Sequence, residues 1–155
     1  MRKIDKEMDY AATKEKALRL LEFRNHSTGE LKKKLTIAGA KSEDIDRVID
    51  FLEEYSLIND RDYAKRLALD LQNLKKYGIR RIRLELASKG ISPEYIEEAV
   101  EELPEIDTDE FVAMVEKRLK GDLKNKDKVI RYFLNKGYSF DMIKSAISDI
   151  EVNYL

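Results

Sequence analysis

The chain has 155 residues, and 30 basic against 31 acidic side chains leave a formal net charge of −1. Charged residues make up 39% of it, above the roughly 25% of an ordinary globular chain, but the two signs cancel, so only the distribution of charge can point to a partner. The absence of cysteine excludes a disulfide framework and a thiolate metal site. The charged start Met1–Tyr10 lacks the apolar core of a signal peptide, and no apolar run approaches the ~18 residues that span a bilayer, so a cytoplasmic protein is expected.

A first helix is expected from about Tyr10 to Arg24, with Ala17, Leu18, Leu20 and Leu21 as its apolar stripe. Ser27 with Glu30 three residues later forms a capping box that opens a second helix, whose inner face is Leu31 and Leu35. Gly39 is a left-handed helix stop, and Ser42 starts a third helix carrying Ile45, Ile49 and Leu52. Asn59-Asp60 then opens a helix with Tyr63, Ala64, Leu67, Ala68, Leu71 and Leu74. Ile82 and Leu86 lead to the stop at Gly90, and Ser92-Pro93 begins a helix with Ile96 and Val100 that ends at Leu103-Pro104. After Asp107-Thr108 come Phe111, Val112, Val115 and Leu119. Val129 and Phe133 precede the stop at Gly137, and Ser139 opens a last helix with Ile143, Ile147 and Ile150.

The spacing Leu31, Leu35, Gly39, Ile45, Ile49, Leu52 thus recurs as Ile82, Leu86, Gly90, Ile96, Val100, Leu103 and as Val129, Phe133, Gly137, Ile143, Ile147, Ile150. Self-similarity at this period predicts an all-α, elongated and curved array of three tandem three-helix repeats, a class that binds along a surface rather than in a pocket. The expected division is an N-terminal extension over 1–9 and repeats over 10–58, 59–105 and 106–155.

Charge follows the same period. The second helix of each unit is basic (Lys32, Lys33, Lys34; then Lys75, Lys76, Arg80, Arg81, Arg83, Lys89; then Lys120, Lys124, Lys126, Lys128, Arg131, Lys136), and the third is acidic, strongly so in the first two units. Each charge taken singly reads as a solvated face or a complement to a helix dipole. The same sign on the same helix of three units reads as a stripe for a polyanion. Within it, Lys75 to Arg83 surrounds Tyr77 with cations. Tyr77 could stack on a base, but packing at a helix start is the preferred reading, because Ile79 and Ile82 belong to the core face.

Chemistry is sparse. The lone histidine, His26, has no cysteine to join it in a metal site and reads as a surface residue beside a cap. The six glycines are scattered as stops rather than gathered in a phosphate loop. Tyr132, one step off the core line, reads as exposed, and Tyr138 as packed in a cap. No enzyme, cofactor or metal is expected.

Arg24-x-x-Ser27-x-x-Glu30-Leu31-x-x-Lys34-Leu35, Leu57-Ile58-Asn59-Asp60-Arg61-Asp62-Tyr63-Ala64 and Tyr77-Gly78-Ile79-Arg80-Arg81-Ile82-Arg83-Leu84-Glu85-Leu86 with Lys89-Gly90-Ile91 resemble the RecX family of recombination regulators. The resemblance runs from about Tyr10 to Ile150 and is most specific in the middle block. It implies a non-enzymatic helical array that binds RecA and its filament on single-stranded DNA, lies in the filament groove, and inhibits ATP hydrolysis and strand exchange. Matching residues expected to face the filament are Arg24, Lys34, Arg61, Arg80, Arg81, Arg83 and Lys89; Lys32, Lys33, Lys75, Lys76, Lys128 and Arg131 complete the basic stripe. A monomer with at most weak direct DNA binding is expected. The competing readings are a stand-alone nucleic-acid-binding repeat protein and a protein-only scaffold that presents the acidic helices.

Overall fold

The computed structural model describes residues 8–154, so residues 1–7 of the expected N-terminal extension lie outside the described residues. Nine α-helices occur among the described residues, with no strand: α1 (Tyr10–Phe23), α2 (Thr28–Ile37), α3 (Ser42–Glu54), α4 (Asp60–Asn73), α5 (Ile79–Ser88), α6 (Pro93–Glu101), α7 (Thr108–Leu119), α8 (Lys126–Asn135) and α9 (Phe140–Val152). A 3-10 turn, Leu123–Asn125, leads into α8, and Met8 makes an isolated parallel β-bridge to Ala40.

Helix starts follow their local chemistry. Asp9, Asn59, Asp107 and Ser139 each cap a helix by accepting from a backbone N–H, and Ser27 and Glu30 form both halves of the capping box. Ser42 starts α3 as expected, but as its first helical residue: Lys41 holds the cap position, and no side chain caps the helix. Ser92 occupies its cap position without a side-chain bond, and Pro93 after it pre-sets the first turn at a position whose N–H has no partner within the helix. Gly39, Gly90 and Gly137 all terminate their helices at positive φ, 98°, 75° and 99°, the conformation that costs an L side chain about 1–2 kcal/mol.

The substantial helix packing falls within three groups, α1–α3, α4–α6 and α7–α9, and each group closes its own core. The first core gathers Ala17, Leu31, Leu35, Ile45, Val48, Ile49, Leu52 and Ile58. Ala64, Ala68, Ile82, Leu86, Ile91, Ile96, Ala99 and Val100 make the second. The third joins Val129, Ile143, Ala146, Ile147 and Ile150 to an aromatic centre of Phe111, Phe133 and Tyr138. Inner positions Thr13 and Ala17 of α1 correspond to Ala64 and Ala68 of α4, and to Phe111 and Val115 of α7. The third group therefore carries larger apolar side chains at these two inner positions than the others do. Three cores in a row expose more surface than one: 10846 Å², against about 8,100 Å² for a compact monomer of this mass.

Candidate functional site

The units join through their second helices. The N-terminus of α5 meets the stop of α8: the Gly78 N–H donates to the Lys136 carbonyl at 2.7 Å and the Arg80 N–H to the Gly137 carbonyl at 3.2 Å. N–H groups that α5 cannot satisfy internally are thus met by carbonyls that α8 leaves open, with the two helix dipoles head to tail. The same geometry recurs one unit earlier, where the Ser27 hydroxyl donates to the Lys89 carbonyl beside the stop at Gly90. Backbones come close enough at both junctions to require glycine. A Cβ on Gly29 would lie 2.9 Å from the Gly90 Cα, and one on Gly78 would lie 2.5 Å from the Gly137 carbonyl carbon.

Side chains lock these contacts. The Thr28 N–H and hydroxyl donate to Asp60 Oδ1 at 2.8 and 3.1 Å, so a carboxylate at the start of α4 also serves the positive end of α2. Glu30 accepts from the Ser27 N–H, from Arg24 and, across the junction, from the Tyr63 hydroxyl at 3.0 Å. Burial pushes the Glu30 carboxyl up, but its three donors outweigh burial and hold it below the usual range. Burial and the Glu30 bond push the Tyr63 phenol up to about 12. At the second junction the Tyr138 hydroxyl donates to the Lys76 carbonyl at 2.8 Å.

His26 is not the surface residue expected. Its side chain is buried, with the residue 3% exposed. It lies with Nδ1 2.9 Å from the Arg24 carbonyl and Nε2 2.8 Å from Lys34 Nζ. The ammonium must donate, which assigns Nε2 as acceptor and Nδ1 as the protonated nitrogen. Burial, reinforced by the Arg24 and Lys34 charges, holds its pKa below the usual value.

Joined in this way, α2, α5 and α8 form a row of three 10-residue helices, about 15 Å apiece. The expected cations divide in two. One set is held by carboxylates of the chain itself: Arg24 on Glu30, Arg61 on Glu98, Lys76 on Glu110, Arg81 on Glu85 and Arg83 in a fork on Glu97. Arg81 also donates to the Asn135 carbonyl, and Lys34 is spent on His26. The acidic third helix of the middle unit is therefore partly the internal counter-charge of the basic residues around it. The other set, Lys32, Lys33, Lys75, Arg80, Lys128 and Arg131, is exposed and makes no ion pair among the described residues. Lys89 caps α5 and lends its carbonyl to Ser27.

Tyr77 is half-buried against the second core, with Arg81 4.7 Å and Lys136 5.1 Å from its ring centre, so it packs as preferred. Tyr132 is half-buried rather than exposed, and the Arg118 guanidinium lies 3.5 Å over its ring. Arg118 and Lys120 join Lys128 and Arg131 around an open groove of about 580 Å³ between α7 and α8. Arg118 escaped the reading of the sequence because a cation in the last turn of a helix is the ordinary complement to its dipole.

The comparisons with known proteins agree with this architecture. Residues 14–52 match the model of the first three-helix domain of RecX and residues 59–100 that of the second. The regulatory protein RecX of Vibrio parahaemolyticus serotype O3:K6 is 36% identical over 141 residues, covering 88% of this chain and 90% of that protein. Its counterpart from Clostridioides difficile (strain 630) is 34% identical over 153 residues, covering 95% and 71%. The crystal structure of RecX from Lactobacillus salivarius superposes with a TM-score of 0.79 at 24% identity, over 92% of this chain and 97% of that one. Two matching domain models and a relative 36% identical over 90% of its own length establish that the chain belongs to the RecX family.

Proposed function

We propose that this protein regulates RecA, binding the RecA filament on single-stranded DNA along its groove and inhibiting ATP hydrolysis and strand exchange without catalysing a reaction itself. The observation that carries the reading is the row of second helices, joined end to end at the glycine stops, with unpaired cations in all three units. Several weak contacts on one rigid row suit a ligand that is itself periodic, because each contact after the first is intramolecular and gains from effective concentration. Units 10–58, 59–105 and 106–155 are the proposed divisions of that row, each bringing its own contacts. The protein is proposed to act as a monomer in the cytoplasm; among the described residues, no helix is long and apolar enough to cross a membrane.

Reversal of all three arginines near Arg80 is a poor test, since Arg81 and Arg83 hold Glu85 and Glu97 and their loss would disturb the unit. The triple variant Lys32→Glu, Lys33→Glu, Arg80→Glu touches only exposed, unpaired cations. It is expected to weaken inhibition of DNA-dependent ATP hydrolysis by RecA at least tenfold with an unchanged melting temperature. Full inhibition by this folded variant would remove the row from the mechanism. Pull-down with RecA, with and without single-stranded DNA and nucleotide, separates the filament from RecA alone and from a partner unrelated to either.

A further inference from the structure

We infer that the groove between α7 and α8 is a binding site for a short run of single-stranded nucleic acid, holding the phosphodiester backbone on Lys120, Lys128 and Arg131 and one base on the Arg118–Tyr132 platform. The inference deepens the filament reading, since it names where a strand would be gripped, but it concerns the isolated chain and stands or falls without RecA.

Three observations carry it. First, the groove is lined by Arg118, Lys120, Lys128 and Arg131 with Asn125, Asn135, Val129 and Tyr132, and no carboxylate. The chain is slightly acidic overall and pairs Arg19, Arg24, Arg61, Arg81 and Arg83 with its own glutamates, whereas these four cations share one groove with no carboxylate in its lining, an unmet demand for anion. Second, the four come from both sides of the groove: Arg118 and Lys120 from the end of α7 and the turn after it, Lys128 and Arg131 from α8. Lys120 is held there in the left-handed conformation, φ 55°, which is unfavourable for lysine. Third, the Arg118 guanidinium carbon lies over the Tyr132 ring, 3.5 Å from its centre, which brings a planar cation and an aromatic ring together in the groove, and guanidinium planes and aromatic rings both stack on unpaired bases. Asn125 gives its amide N–H to the Leu119 carbonyl, which fixes the side chain and leaves its oxygen to accept from a base. A poly-glutamate peptide would satisfy the charges but has no ring for the platform, and double-stranded DNA does not present an unstacked base to it.

Fluorescence anisotropy of labelled 15-mer oligo-dT and of an abasic 15-mer with the full chain tests the site. Lys128→Glu with Arg131→Glu is expected to weaken oligo-dT binding at least tenfold at 50 mM salt and to flatten the log-log salt dependence by about 1.4, that is 0.7 for each of two phosphates. Arg118→Lys keeps the charge and loses the plane, so oligo-dT should weaken three- to tenfold while the abasic strand holds its affinity. The double variant Lys16→Glu with Lys144→Glu makes the same change in net charge at exposed positions on α1 and α9 and should stay within twofold of the parent. Any of four results overturns the inference: no oligo-dT binding by the parent chain, equal losses in the two double variants, equal losses on both strands for Arg118→Lys, or tighter binding of a poly-glutamate peptide of matched charge.

Discussion

Ser27 shows how much one side chain does at a junction. Its hydroxyl accepts from the Glu30 N–H at 3.0 Å, capping α2, and donates to the Lys89 carbonyl of the next unit, whereas the Ser139 hydroxyl caps α9 by accepting from the Met142 N–H. A lost cap costs about 1 kcal/mol and a lost buried hydrogen bond about another, so Ser27→Ala is expected to lower stability by about 2 kcal/mol in urea unfolding and Ser139→Ala by about 1. Equal losses would mean that the Lys89 bond contributes nothing. His26 and Glu30 add a dependence on pH. Both pKa values are lower in the folded chain than the usual 6.5 and 4.5, so the unfolded chain takes up protons first. Stability is then fully present above about pH 6.5, falls as His26 protonates against the Lys34 ammonium, and falls again below about pH 4.5 as Glu30 loses its donors' charge-assisted bonds. Melting temperature against pH should show both steps, and His26→Gln should erase the upper one alone.

At the scale of the helices, the core register was legible because steps of four on each side of a glycine state a helical face directly. Leu31, Leu35, Ile82, Leu86 and Phe133 all proved buried. The junctions were not legible. Gly29 and Gly90 are 61 positions apart, and nothing in their neighbourhoods announces that their backbones touch; Gly78 does not look like a partner for Gly137 until the units are stacked. The ion pairs failed to show for the same reason, since Arg83 finds Glu97 and Arg61 finds Glu98 through packing, so the alternation of charge read as a single stripe when part of it is internal neutralisation. The two roles of the glycine stops can be separated. Gly39 and Gly137 share a positive φ, but a Cβ on Gly39 meets nothing, whereas one on Gly137 collides with the backbone and Cβ of Arg81. Gly39→Ala should cost about 1–2 kcal/mol from conformation alone. Gly137→Ala should cost more by at least about 1 kcal/mol and detach α5 from α8, with hydrogen exchange rising at the Gly78 and Arg80 amides. Similar losses for the two variants, with those amides still protected, would show that the close approach carries no energy.

Across the whole molecule, three cores joined by backbone bonds and a few side-chain links form a nearly one-dimensional system, in which each unit's stability adds to nearest-neighbour terms. The two outer positions of the row differ from the junctions. Met8 bridges to Ala40 beside the first stop, and the 3-10 turn Leu123–Asn125 leads into α8. Such an array should unfold by units rather than all at once, and damage should stay local. Phe133 sits fully buried between Phe111 and Tyr138, so Phe133→Ala is expected to cost about 3–5 kcal/mol. If that loss falls on the third unit, amide protection in α7–α9 drops by a hundredfold or more, at about 1.4 kcal/mol per tenfold. Protection in α1–α3, two junctions away, should stay within threefold of the parent chain, and α4–α6 should fall in between, because Tyr138 and the Lys136 and Gly137 carbonyls hold the start of α5. Hydrogen exchange resolved by helix distinguishes this gradient from its alternative: a uniform drop along all nine helices would mean a single cooperative core, and the row of second helices would then be a consequence of global packing rather than of the glycine junctions.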